Sequence, residues 1–322
     1  MRTTMKTRIE EVWDEIGRET QSRPIAEGSY KLRRVDPDFR FSLFAGLDSL
    51  AYVMLAIGVT KPPPALTLDS GSLDYFRQQR NDGTWLMALR LRQLGLSGVF
   101  GRLCQDLVDA MLAVSDEEAL VALFRDRLTL WQKLFDNGSG GLLEPFQVKG
   151  MIAELLVLEA ILLDGTRSPL EAVTAWVGPT GADQDFQFLD EAIEVKAVSP
   201  GADSISISSL QQLDALVPIR VRVCTMRSAA PDEVGTVSLN SLVPRVEGHL
   251  AASPEALSLF KGRLLEGGYV ENPHYDTIVF QPTASEEFRV TEDSPKLVTA
   301  SVPTGVISAN YALALQALRK TD

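Results

Sequence analysis

The sequence predicts a two-domain α/β protein, and three observations carry that prediction. The chain has 322 residues, 45% hydrophobic and 23% charged, enough for two ordinary soluble domains with cores of their own. A glycine-rich stretch, Asn137-Gly138-Ser139-Gly140-Gly141, interrupts it and reads as a linker. The apolar patterning differs on its two sides. Strand-like runs dominate to about residue 95 and two helical stripes follow, whereas after the linker a helix leads into short strands. The expected domains are a small α+β domain over residues 1–141 and an α/β domain over residues 142–322.

The N-terminal stretch MRTTMKTRIEEVWDEI is charged and amphipathic and lacks the apolar core of a signal peptide. FRFSLFAGL, LAYVMLAIGV and WLMALRLRQL read as strands, broken by Pro62-Pro63-Pro64 and Asn81-Asp82-Gly83. Arg33, Arg34, Arg40, Arg90 and Arg92 are read as solvated strand charges rather than as contacts to a DNA backbone. A helix follows with Phe100, Leu103, Cys104, Leu107 and Met111 on one face. The next begins with Ser115 and Glu118 at capping-box spacing and continues through Leu120, Phe124, Leu128, Trp131 and Phe135.

Beyond the linker, residues 147–163 read as a helix with Val148, Met151, Ile152, Leu155, Leu158 and Leu162 on one face. AVTAWVG, DFQFL and AIEVKA read as three strands, with SISIS as a short fourth. Trp176 reads as core or turn packing. Ser208 to Leu216 reads as a short helix, in which Ser209 and Gln212 have capping-box spacing. IRVRVCTM is another strand, residues 239–267 are helical, YDTIVFQ is strand-like, and NYALALQAL suits strand or helix.

Composition excludes several chemistries. The longest apolar run, LLVLEAILL, is interrupted by Glu159 and falls short of a membrane span, so the expected location is the cytoplasm. Cys104 and Cys224 are the only cysteines and lie far apart, which argues against a disulfide framework or a zinc cluster. His249 and His274 form no HExxH pattern, and neither a nucleophile elbow nor a phosphate loop is present. The net charge of −12 is uneven: residues 1–150 hold 19 Lys and Arg against 20 Asp and Glu, while residues 151–322 hold 12 against 23. An acidic half suits a cation site better than it suits wrapping DNA unaided.

The informative stretch is DFQFLDEAIEVKA, residues 185–197, which reads as a hairpin. Glu194 and Lys196 share one face of its second strand, where charge is costly unless it is paired or bound. With the turn at Asp190-Glu191, Asp185 opposes Lys196 and Gln187 opposes Glu194, so Asp185, Glu194 and Lys196 meet on one face. A slip of one residue would send Asp185 to the other face. The opposite face holds Phe186, Phe188, Ile193 and Val195. Two carboxylates suit a hard cation such as Mg²⁺, and a lysine beside them can orient water or neutralise charge on a phosphate. Glu154, at the edge of the apolar stripe of its helix, and Gln212 are candidates to join them; their plainer readings are a helix-edge residue and a helix cap. Asp183 is a competing ligand.

Glu154, Asp185, Glu194-Val195-Lys196 and Gln212 together resemble the PD-(D/E)XK nuclease superfamily, whose restriction endonuclease-like core is a helix, three strands, a helix and a strand. KGMIAELLVLEAIL, AVTAWVGPTGADQDF, IEVKA and ISISSLQQLD resemble a bacterial family of uncharacterised PD-(D/E)XK-motif proteins, over about residues 147–225. Gln184 stands where the motif's name has proline. The resemblance implies Asp185 and Glu194 as metal ligands with Glu154 assisting, Lys196 as the catalytic lysine and Gln212 as an auxiliary. It implies Mg²⁺ or Mn²⁺ as cofactor, DNA as substrate, and a place in a bacterial restriction or phage-defence system alongside other defence proteins. The alternative it allows is a catalytically silent nuclease-fold module in such a complex. The oligomeric state stays open, a homodimer included.

Overall fold

The computed structural model describes residues 7–68, 71–112, 114–136 and 142–320. The expected linker, residues 137–141, lies outside the described residues. By contacts the chain divides into two compact units, Met1–Leu142 and Leu143–Asp322.

The first unit opens with a helix, α1 (Arg8–Ser22), where the sequence reading placed strands first. Thr7 and Glu10 close a capping box: Glu10 Oε2 accepts the Thr7 N–H at 2.7 Å and Thr7 Oγ1 accepts the Glu10 N–H at 3.2 Å. Its buried residues, Ile9, Val12, Trp13 and Ile16, fall on one face. Five antiparallel strands follow: β1 (Tyr30–Arg34), β2 (Ser42–Asp48), β3 (Val53–Val59), β4 (Leu73–Gln79) and β5 (Trp85–Leu91), in spatial order β1-β2-β3-β5-β4. β2, β3 and β5 are the expected runs; β1 and β4 read YKLRR and LDYFRQQ, too polar to stand out. Although β1 and β4 are the two edges, the Tyr30 and Phe76 rings meet at 5.9 Å, so the sheet is strongly curled. The two expected helices are α2 (Ser97–Met111) and α3 (Glu117–Asp136). Trp13 stacks on Phe100 at 5.7 Å and donates to the Met54 carbonyl at 2.9 Å. Arg33 pairs with Glu15 and Glu19, and Arg90 with Asp48 and Asp74, as strand charges do.

In the second unit α4 (Pro145–Asp164) is the expected helix, with Glu144 and Gln147 as its capping box and Gly165 at φ 70° ending it. It is apolar almost all round and buries Glu159, whose carboxylate takes a two-point contact from Arg245. AVTAWVG is not a continuous strand: α5 (Pro169–Ala175) takes its first four residues, and Trp176 alone makes an antiparallel bridge, to Phe186. Ser168 caps that helix by accepting the Glu171 N–H at 3.2 Å, and Pro169 sits in its first turn. β6 is short (Phe186–Gln187), and β7 (Ala192–Val198), β8 (Ser204–Ile207) and β9 (Ile219–Ser228) are the expected strands. Residues 208–216 form bends and turns, not the expected helix. Leu210 and Leu213 are buried while Gln211 and Gln212 are held by side-chain hydrogen bonds, which fixes the segment before a second turn can form.

The expected helical stretch is two helices, α6 (Leu239–Leu250) and α7 (Pro254–Glu266), broken where Pro254 starts the second. β10 (Phe280–Val290) begins five residues later than YDTIVFQ suggests, because Pro273–Asp276 form a 3₁₀ turn. β11 (Tyr311–Ala314) and β12 (Arg319–Lys320) complete the unit. The main sheet has the order β12-β10-β9-β7-β6, with β7 parallel to β9; β8 and β11 pair separately. One side of the sheet carries Ala192, Val221, Val223, Phe288 and Val290, packed with Ile205, Ile207, Leu213 and Leu313. α4 packs against β7 and α6.

Candidate active site

The hairpin forms, with a register displaced from the expected one. Phe186 opposes Ile193 and Gln187 opposes Ala192, and the Phe188 N–H reaches the Glu191 carbonyl at 2.8 Å. The turn is therefore Leu189-Asp190, not Asp190-Glu191. Glu191 is held just before β7 by ion pairs to Arg220 and Arg167, and Asp190 is held at the tip by Arg167. That leaves Leu189 fully exposed, which no hydrophobicity argument anticipates. The displacement is two residues. Because side chains alternate, an even shift leaves every residue on its expected face. Phe186, Phe188, Ile193 and Val195 are buried as expected.

Asp185 sits just before β6, beside β7, and its Oδ2 accepts the Val195 N–H at 2.7 Å. Glu194 is 2% exposed. Its Oε1 accepts from Lys196 Nζ at 2.7 Å and from Gln212 Nε2 at 2.9 Å, while its Oε2 is buried without a hydrogen-bond partner among the described residues. Gln212 reaches both motif charges, since its Oε1 accepts from Lys196 Nζ at 3.3 Å and from the Ser208 N–H at 2.8 Å. Ser209 Oγ does accept the Gln212 N–H, at 3.2 Å, but no helix grows from this cap. Glu154 projects from α4, and its Oε2 accepts the indole N–H of Trp176 at 2.8 Å.

The structure thus brings Glu194, Lys196 and Gln212 into direct contact. It brings Glu154 and Asp185 together through a residue the sequence reading missed. A Cβ on Gly178 would lie 2.6 Å from Glu154 Oε2 and 2.7 Å from Asp185 Oδ1, so both oxygens border one point that only glycine leaves open. Gly178 also donates its N–H to the Asp185 carbonyl at 2.9 Å. Asp183, the competing ligand, is exposed. Trp176, assigned to packing, does pack on Phe260 at 5.6 Å and is fully buried, and its indole also holds Glu154. WVGPTGADQD carried the only sequence signal for Trp176 and Gly178, as a turn rich in glycine immediately before Asp185.

Burial raises the pKa of all three carboxyl groups. Glu194 is pushed up to about 8, first by desolvation and then by the Asp185 charge, against the pull of Lys196. Glu154 and Asp185 are raised too, each chiefly by desolvation; the Asp185 charge adds to the rise at Glu154. Among the described residues no three His, Cys, Asp or Glu side chains stand close enough together to hold an ion as placed. The donor set nonetheless fits a hard divalent cation. Three carboxylates face one lysine, two carboxylate oxygens border the space over Gly178, and Glu194 Oε2 is an unsatisfied buried acceptor.

A mixed α/β unit with a helix-borne Glu154, Asp185 at the edge of the sheet and Glu194-Val195-Lys196 on the adjacent strand defines the PD-(D/E)XK class of nuclease-like proteins. A family described as "Putative PD-(D/E)XK family member, (DUF4420)" matches residues 9–316, and the chain belongs to it. The same comparisons found no similar curated protein and no similar solved structure. Among the described residues no helix is long and apolar enough to cross a membrane.

Proposed function

We propose that the chain is a metal-dependent deoxyribonuclease, hydrolysing DNA phosphodiesters with Mg²⁺ or Mn²⁺ in a bacterial restriction or defence setting. The observation that carries the proposal is the meeting of Glu154 Oε2 and Asp185 Oδ1 over Gly178, together with the Glu194–Lys196 pair and Glu194 Oε2, which has no hydrogen-bond partner among the described residues. Asp185 and Glu194 would hold the ion, with Glu154 assisting. A divalent cation bound there supplies a polarised phosphate, a water of lowered pKa and counter-charge for the departing oxygen.

The chain's own residues supply position and charge. The Val195 N–H fixes one oxygen of Asp185 and leaves the other turned to the space over Gly178. Trp176 holds Glu154 by Oε2, the oxygen that itself borders that space. Lys196 directs N–H bonds to Glu194 Oε1 and Gln212 Oε1; an ammonium has a third, available to orient the attacking water or a phosphate oxygen. Gln212 bridges Glu194 and Lys196 and keeps the lysine from swinging out of the cleft. The first unit, residues 1–142, would serve substrate or partner recognition.

A second reading, a catalytically silent module in a defence complex, is favoured by one observation: residues 151–322 hold 12 Lys and Arg against 23 Asp and Glu. Nicking of supercoiled plasmid separates the two. The nuclease reading expects cutting by the wild type with Mg²⁺ or Mn²⁺, abolished by EDTA and by Asp185→Ala and Lys196→Ala. Equal cutting by all three proteins assigns the activity to another site, and no cutting by any favours the module.

A further inference from the structure

Gln184, next to Asp185, is 4% exposed although its side chain is polar. Its amide is fully used. Nε2 donates to the Gln211 carbonyl at 2.7 Å and, more weakly, to the Gln212 carbonyl at 3.4 Å, while Oε1 accepts from Gln187 Nε2 at 3.0 Å. The segment it grips, residues 208–216, is not helical. Its own bonds among the described residues include Asp214 N–H to the Gln211 carbonyl at 3.0 Å, Gln212 N–H to Ser209 Oγ at 3.2 Å and Ser208 N–H to Gln212 Oε1 at 2.8 Å. Leu210 and Leu213 bury against the core on either side of Gln211 and Gln212, but apolar contacts do not fix the direction of a side chain between them. Gln212 nevertheless takes one definite pose, donating to Glu194 Oε1 and accepting from Lys196 and the Ser208 N–H.

We propose that Gln184 is a positioning residue. Its buried amide clamps the backbone at Gln211 and Gln212 and so keeps the Gln212 side chain inserted between Glu194 and Lys196. The proposal rests on the reading of the site given above. It makes one short segment do two tasks: Asp185 presents a carboxylate to the space over Gly178, and the preceding residue sets the geometry of the Glu194–Lys196 pair through Gln212. It also gives a reason for glutamine where the motif's name has proline, since proline has no side-chain amide to donate.

The test compares wild type, Gln184→Met, Gln184→Glu, Gln212→Ala and the double variant Gln184→Met/Gln212→Ala in the full chain. The first readout is hydrogen exchange at the Ser208 amide, whose acceptor is Gln212 Oε1. Both Gln184 variants should raise that exchange roughly tenfold, the equivalent of one lost hydrogen bond. The Val195 amide, bonded to Asp185, should stay protected. Gln184→Glu keeps size and polarity but loses the N–H donor, so its failure to protect Ser208 separates clamping from space-filling. The second readout is plasmid nicking. Each single variant should lower kcat roughly 10- to 100-fold with little change in KM, as expected for a misplaced group, and the double variant should fall no further than Gln212→Ala. Unchanged exchange at Ser208, or losses in kcat that multiply in the double variant, would overturn the proposal. If the wild type does not nick DNA, the nuclease reading fails, and the exchange measurement alone still decides the clamp.

Discussion

Glu194 and Lys196, two residues apart on β7, form a 2.7 Å ion pair in which the glutamate is almost wholly buried. A buried carboxylate with one lysine partner and one orphaned oxygen is an unstable arrangement unless something else neutralises it. In the proposed nuclease site a divalent cation completes the neutralisation, and Lys196→Met is expected to separate the two consequences of the pair. Nicking should fall by about 10²–10³, the usual cost of removing one electrostatic stabiliser. The metal-free variant should also melt lower than wild type, because Glu194 loses its counter-charge. Kinetics beside a thermal melt check both.

Gly178→Ala tests the convergence of Glu154 and Asp185. Gly178 is not among the glycines at positive φ, so alanine fits the backbone and meets first the two carboxylate oxygens, at 2.6 and 2.7 Å, and then Glu154 Cδ at 3.2 Å. The fold should persist, with a circular dichroism spectrum like that of wild type. Activity should drop by about 10², the cost of moving a ligand by roughly an ångström. Wild-type activity in Gly178→Ala would contradict the site.

Stability should depend on pH in a defined direction. The folded-state pKa of Glu194 lies at about 8, above its ordinary value of 4.5, and Glu154 and Asp185 are raised as well. Groups raised in this way favour the folded state when protonated, so their contribution is full below the unfolded pKa and is lost as pH rises through the folded one. In EDTA the melting temperature should fall between about pH 4.5 and about pH 8, the ordinary and the folded-state values of Glu194. Mn²⁺ should restore it most at the high end. Glu194→Gln should flatten the profile. A metal-free melting temperature that rises across this window would contradict the electrostatics.

Trp176 offers an optical readout, because it is the only tryptophan in residues 143–322 and its indole donates to Glu154. Mn²⁺ should change the fluorescence of wild type and not that of Trp176→Phe, whose three remaining tryptophans all lie in the first unit.

The hairpin was legible because alternation survives an even error. The sequence placed Asp185, Glu194 and Lys196 on one face, and the two-residue shift in pairing left that face intact. The turn itself was not legible, since a leucine at its tip is held there by ion pairs of its neighbours with Arg167 and Arg220. The helix α4 showed in its apolar stripe, whereas α5 was taken for a strand because its seven residues are too few to reveal a period. Residues 208–216 have a helical start and helically spaced leucines, yet contacts to Gln184, Glu194 and Lys196 override them. Gly178, Trp176 and Gln184 meet the site only through tertiary contacts, and the glycine-rich turn before Asp185 is the only local mark they carry.

The measurement closest to the central claim is calorimetric titration of the metal-free protein with Mn²⁺ at pH 8, wild type beside Asp185→Asn and Gly178→Ala. The account predicts saturable binding by the wild type, strongly weakened in both variants, with tighter binding at pH 8 than at pH 6 as protons leave the carboxyl groups. Wild-type heats no larger than dilution, or identical isotherms for all three proteins, would contradict it.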